Sequence, residues 1–185
     1  MMPEISLNIL DVAENSTRAG ASLVQITVDV QPEADKLTVI IADDGCGMTE
    51  EQIERVTDPF YTSRTTRKVG LGVPFFKLAA ESTGGSFSIE SEPQKGTTVT
   101  AVFTLNHIDR MPLGDMTATI HTLIQGHPDT DFLYVYRCEA KEFSLDTREM
   151  RAILGDVPFD APEISNYIRD YLTENKLETD GGTVY

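Results

Sequence analysis

Basic residues are scarce in this chain. Lysine and arginine number 15 against 30 aspartates and glutamates, a formal net charge of −15. Such a surface repels nucleic-acid phosphates and argues against a nucleic-acid partner. It leaves room for a small anion such as a nucleotide, which a few local cations and backbone amides hold. Cysteine is scarcer still. Cys46 and Cys138 are the two present, and their spacing is neither that of a metal site nor that of a redox pair. No disulfide framework is implied, and a reducing cytoplasm is the expected setting. No apolar run approaches the ~20 residues that span a bilayer, and the N-terminus lacks a signal-peptide pattern, so no membrane role is expected. Repeats and low-complexity tracts are also missing. What is present is 40 % hydrophobic residues over 185 positions. That suffices for a core and fits one ordinary domain, or one domain with an extension.

The hydrophobic pattern alternates between two periods. Residues 5–19, "ISLNILDVAENSTRA", predict a helix that stops at Gly20. "LVQITVDV" and "KLTVIIAD" alternate as strands around the turn "QPEAD", giving a hairpin. Thr49 followed by Gln52 is a capping-box pattern and opens a short helix. Residues 58–69 are polar and basic with no period, a loop long enough to suggest function. "GLGVPFFKLAAESTGG" reads as a glycine loop, a helix with Pro74 in its first turn, and a glycine stop. "SFSIESE" and "TTVTAVFTL" form two more strands around "PQKG". Beyond them lie a helix over 114–126, a hairpin from "FLYVYRCE" and "EFSLD", and helices from "TREMRAIL" and "APEISNYIRDYL". The last ten residues read as frayed.

Three features carry chemistry. On the first helix, Asn8, Asp11, Asn15 and Arg18 step by three, four and three, which lines up two amides, a carboxylate and a guanidinium. By itself such a stripe is most often a solvated face. At the end of the second strand, "DDGCGM" sets Asp43 as an acceptor for an amino group, with Gly45 and Gly47 letting backbone approach a flat ring; the bland alternative is a tight turn. "VGLGV" then opens a helix, where freed N–H groups at the positive end of the dipole suit a phosphate. Alone, it is neither the Walker loop nor the full dinucleotide fingerprint.

Taken in this order and spacing, the set resembles the GHKL ATPase superfamily of gyrase, heat-shock chaperone, histidine kinase and mismatch-repair ATPases. "DVAENSTRAGAS" resembles the superfamily's N-box in its mismatch-repair form, and "DDGCGM" its first glycine box. "DPFYTSRTTRKVGLGV" is similar to the lid and second glycine box of histidine kinases, and "KGTTVTAVFTL" to their closing strand. The resemblance spans roughly residues 5–105. It implies a two-layer α/β sandwich, with a mixed, mainly antiparallel sheet and helices on one face. It implies Mg-ATP as ligand: Asp43 on the adenine amine, with Gly45 and Gly47 beside the ring. Asn15 would ligate Mg2+, Arg18 would face the phosphates or the lid, and Gly70 and Gly72 would offer amides to phosphate. Arg64, Arg67 and Lys68 would neutralise the γ-phosphate, and Thr97 or Thr98 would support the adenine. Asp11 takes the place of the water-activating carboxylate. Two departures stand out. Asp11 is one methylene shorter than the usual glutamate, and Lys68 replaces a common glycine. ATP binding survives both, whereas fast hydrolysis is doubtful.

The expected organisation is an ATP-binding domain over 1–105 and an α/β extension over 106–185, added to the same sheet or packed on its edge. "HIDRMPL" resembles the phospho-acceptor box of histidine kinases. Its acid is displaced by one place, however, and it follows the ATP domain instead of preceding it, so His107 reads as part of a turn. The expected function is an ATP-binding, histidine-kinase-like regulatory protein that either phosphorylates a partner in trans or uses ATP to switch its own shape. The alternatives are a slow ATPase whose lid closure drives a homodimer, and a module that senses ATP without turnover.

Overall fold

The computed structural model describes residues 2–58 and 71–185. In chain order the elements are α1 (Ile5–Arg18), β1 (Leu23–Gln31), β2 (Lys36–Asp43), α2 (Glu50–Thr57), α3 (Gly72–Glu81), β3 (Ser86–Glu92), β4 (Gly96–Thr104), α4 (Met116–Gly126), β5 (Asp131–Cys138), β6 (Lys141–Asp146), α5 (Thr147–Leu154) and α6 (Pro162–Asp180). One six-stranded sheet runs β3-β4-β2-β1-β5-β6. Every neighbouring pair is antiparallel except β1 with β5, which is parallel. The α/β reading therefore holds, and β5 and β6 of the extension continue the same sheet.

Side chains alternate across a strand, so one register fixes which residues share a face. Val24, Ile26, Val28 and Val30 of β1 are buried, as are Leu37, Val39 and Ile41 of β2 and Val99, Ala101 and Phe103 of β4. The pairing aligns Ile26 with Ile41 and Ile41 with Val99. These rows form one apolar face, against which α1 and α3 lay Ile5, Ile9, Val12 and Phe76. Burying each such side chain contributes about 1.5–3 kcal/mol. The same alternation puts Asp43 opposite Thr97, and Thr97 opposite Ser91, in one row on that face where the strands end.

Helix signals in the sequence match their geometry. Thr49 and Gln52 form a reciprocal capping box at α2. Two expectations fail. Asn8 leaves the polar stripe of α1 and is buried, its amide donating to the Glu4 carbonyl. At 100° per residue it lies ~40° from Val12, at the border of the apolar arc. The last ten residues are not frayed: α6 continues to Asp180. There the Asp180 carboxylate accepts from the Tyr136 hydroxyl at 2.9 Å and from Lys176 at 2.5 Å. Downstream, the Tyr185 carbonyl accepts from Leu113 N–H at 2.6 Å.

His121 of α4 meets the Ser165 hydroxyl of α6 at 2.9 Å. Burial, and then the nearby Arg169 cation, lower its pKa below the ordinary 6.5. A lowered histidine favours the neutral form in the folded state. Its contribution is therefore fully present above 6.5 and is lost as pH falls below that value. Urea midpoints measured on either side of it should drop on acidification, and His121→Gln should flatten that drop. Equal slopes for the two proteins would refute this assignment.

Candidate nucleotide site

The end of β2 answers why two aspartates stand together. They face opposite ways and have different tasks. Asp44 ties down the start of β1: it accepts from Ser22 N–H at 2.8 Å, from Leu23 N–H at 2.9 Å and from the Ser22 hydroxyl. Burial raises its pKa, and these hydrogen bonds more than offset that, so the carboxyl lies below its ordinary value. Asp43 instead borders a cavity of about 310 Å³. Its Oδ1 accepts from Gly45 N–H at 2.9 Å and its Oδ2 from the Ser16 hydroxyl at 2.5 Å. Both oxygens are thereby oriented, and each keeps a second lone pair.

The cavity walls are apolar, from Val12, Val56, Val73, Ile89 and Val99. Asp43 and Thr97 are the polar groups from the strand ends, and Asn15 and Arg18 of α1 also line the space. An apolar slot with a few convergent polar groups suits a flat heteroaromatic ligand. Arg18 donates to the Asn15 side-chain oxygen at 3.1 Å.

The glycines serve the frame as much as the space. Gly47 has φ +65°, and a Cβ there would collide with the Glu92 carbonyl, so the loop after β2 lies directly on the β3–β4 turn. A Cβ on Gly45 would press on Ala19 and on Asp43 itself, both at 3.0 Å. The loop is further stitched by Cys46 N–H to the Ala19 carbonyl at 3.0 Å and by Gln94 N–H to the Cys46 carbonyl at 2.7 Å. Gly72 starts α3 against Asp11; a Cβ there would come within 2.7 Å of the Asp11 Cβ and 2.9 Å of its carboxylate. Asp11 is thus held beside the positive end of α3, whose start makes no side-chain cap hydrogen bond among the described residues.

The structure brings Asn15, Arg18, Asp43, Gly47 and Thr97 to one cavity and seats Asp11 and Gly72 beside each other. Lys68 and Gly70, together with Arg64 and Arg67, lie outside the described residues. Cys46 is exposed at the cavity. His107 forms a turn, its ring nitrogen accepting from Asp109 N–H at 3.1 Å. Sequence reasoning missed Ser16 and Ser91. Ser16 stands one place after Asn15 and, by helical spacing, belongs to the buried arc with Val12. Ser91 belongs to the inward series of β3 with Phe87 and Ile89. In each case a hydroxyl at an otherwise apolar position was the available signal.

The model of the histidine kinase-, DNA gyrase B- and HSP90-like ATPases matches residues 3–107. Sensor protein SrrB of Staphylococcus aureus is 36 % identical over 102 residues, 52 % of this chain and 17 % of that protein. The non-motile and phage-resistance protein of Caulobacter vibrioides is 31 % identical over 121 residues, 62 % of this chain and 14 % of that protein. The chain thus spans less than a fifth of the length of these curated relatives. Among solved structures, the Aquifex aeolicus MutL ATPase domain complexed with ADP aligns with a TM-score of 0.51 at 11 % identity, covering 92 % of this chain and 88 % of that one. A DNA-repair protein's N-terminal domain aligns with a TM-score of 0.52 at 15 % identity, over 78 % of this chain and 53 % of that one. At these identities the structural likeness speaks for the fold.

Proposed function

The chain belongs to the histidine kinase-, DNA gyrase B- and HSP90-like ATPase family, an ATP-binding fold, and from that premise we propose that it is a cytoplasmic regulatory module that binds Mg-ATP and turns it over slowly. The observation that carries this reading is the polarity of the cavity. One end carries Asp43, whose carboxylate can only accept, beside Thr97, and next to the cavity Asp11 lies against Gly72 at the start of α3. Adenine, with its exocyclic amine, fits the first, and a polyphosphate fits the second.

The residues present also fit magnesium. It takes hard oxygen ligands and is commonly held by one or two protein groups plus phosphate oxygens. Among the described residues no group of three or more His, Cys, Asp or Glu is placed to hold a metal ion, and water and phosphate oxygens would complete the shell. Asn15 would supply the carboxamide oxygen, and Arg18 would exchange its hydrogen bond to Asn15 for a phosphate. When bound, the ion neutralises charge on the phosphates.

Turnover depends on Asp11. A base must come within hydrogen-bond reach of the water it activates. The aspartate is one carbon shorter than glutamate, and a misplacement of about an angstrom costs on the order of a hundredfold in rate. Asp11→Glu should raise basal phosphate release, and Asp11→Asn should preserve affinity while lowering release. Three equal rates would mean that Asp11 is no base.

The preferred role is transfer to a protein partner in trans, favoured by the identity to sensor protein SrrB. A second reading is a slow ATPase that closes into a homodimer, favoured by Asp11 and Asn15 lying one helical turn apart. Incubation with γ-labelled ATP separates them: label on a partner supports transfer, free phosphate supports the ATPase, and ATP bound but unchanged leaves a sensor. Failure to bind ATP at all would remove the proposal.

A further inference from the structure

Behind Thr97 stands a hydroxyl that touches three groups at once. Ser91 Oγ receives the Met48 N–H at 2.8 Å, lies 2.9 Å from the Gly96 carbonyl and lies 2.8 Å from Thr97 Oγ1. A serine hydroxyl has one hydrogen and two lone pairs. The Met48 amide can only donate, so it takes one lone pair. With the Ser91 hydrogen on the Gly96 carbonyl, which can only accept, Ser91 offers Thr97 a lone pair and Thr97 donates to it. That uses the only hydrogen Thr97 has. Toward the cavity, Thr97 then presents lone pairs alone.

The same holds for its neighbour. Asp43 receives hydrogens from Gly45 and Ser16 and has none to give. Ser91, Thr97 and Asp43 fall in one row across three adjacent strands, on the face that α1 covers. The strand-end side of the cavity thus presents acceptors. We infer that Ser91 is a specificity-determining, positioning residue: it fixes the Thr97 hydroxyl as an acceptor and so selects a purine bearing an exocyclic amine over one bearing a carbonyl at the same place. A carbonyl there would meet two acceptors and leave each without a hydrogen, which is the costly arrangement for buried polar groups. Without Ser91, the Thr97 hydroxyl is free to turn and donate to that carbonyl.

This inference rests on the nucleotide reading, and the experiment separates the two. Calorimetric titration with ATP and with inosine triphosphate, both with excess magnesium, gives the affinity ratio for a pair that differs in that one substituent and its coupled ring nitrogen. Wild type should prefer ATP. In Ser91→Ala the ratio should fall roughly three- to tenfold, the size of one hydrogen bond. Thr97→Val should lower it comparably, and the double variant should fall no further, because both changes remove the same constraint. Ser91→Thr, which keeps the hydroxyl, should retain the wild-type ratio. A purely structural Ser91 would weaken both nucleotides by one common factor and leave the ratio alone, which would overturn the inference. A double variant whose ratio falls by the product of the singles would overturn it as well. A wild type that binds neither nucleotide would remove the reading beneath it instead.

Discussion

Asp43→Asn is expected to lower the affinity for Mg-ATP about a hundredfold while leaving the fold nearly as stable as before. The two halves of this expectation have separate causes. Within the protein, asparagine has a workable arrangement. Its oxygen keeps the Gly45 N–H, now bonded at 2.9 Å, and its amino group turns to Ser16. Ser16 in turn gives its hydrogen to the Val12 carbonyl, 3.5 Å away. Every group inside the frame retains a partner, so the cost to stability stays below about 1 kcal/mol. For the ligand no such escape exists. The second hydrogen of the asparagine amide points toward the cavity, where an adenine amine also brings hydrogens. Two donors face each other, and both go unpaired on binding. Thermal denaturation and calorimetry on the same preparation check both halves. Equal affinities would remove Asp43 from the site, and a large loss of stability would make any change in affinity uninformative about adenine.

Asp180→Ala should cost about 3 kcal/mol of stability, roughly 8 °C in melting temperature. The Asp180 side chain is fully buried and gathers three donors: the Tyr136 hydroxyl, Lys176 and the Gly182 N–H at 2.9 Å. Lys176 also lies over the Tyr136 ring at 5.4 Å. Removing the carboxylate leaves the Tyr136 hydroxyl beside Tyr134, another buried tyrosine whose hydroxyl has no partner among the described residues. Burial pushes the pKa of both phenols up, so neither offers a charge to compensate. The lysine, three-quarters buried, loses its counter-ion. Asp180→Asn keeps the acceptor and should recover part of the loss. A melting temperature unchanged in the alanine variant would mean that the end of α6 contributes little to the fold.

These two aspartates mark how far the sequence was legible. Asp43 was readable because its signal is local: a strand pattern stops at an acid followed by spaced glycines, and the neighbouring elements repeat a known order. Asp180 was not, because its partner Tyr136 sits 44 residues away on a strand, and helix periodicity ignores such contacts. Asn8 shows a subtler limit. Spacing put it on the stripe of Asp11, yet a few tens of degrees decided whether it faced the cavity or the core. Gly47 illustrates a third. Its need for a bare α-carbon is visible in the sequence, but the Glu92 carbonyl that a Cβ there would meet is not. Hydroxyls such as Ser16 and Ser91 are the hardest, since serine at an inward position reads as neutral in every pattern.

The parallel partnership of β1 with β5 carries a consequence in time. Leu23 pairs with Asp131 and Val30 with Cys138, partners on the order of a hundred residues apart, the kind of separation that slows folding. During synthesis the first hairpin emerges early and its helix is ready to cover it, but one margin of β1 stays bare until β5 leaves the ribosome. For that interval the nascent chain carries an open strand margin of unpaired backbone groups on a strand whose inward residues are Val24, Ile26, Val28 and Val30, the kind of edge that recruits a neighbouring polypeptide. A chain stopped after β4 would keep that margin bare permanently. The later segment thus completes the earlier one, since the β1 margin is paired only when β5 is in place.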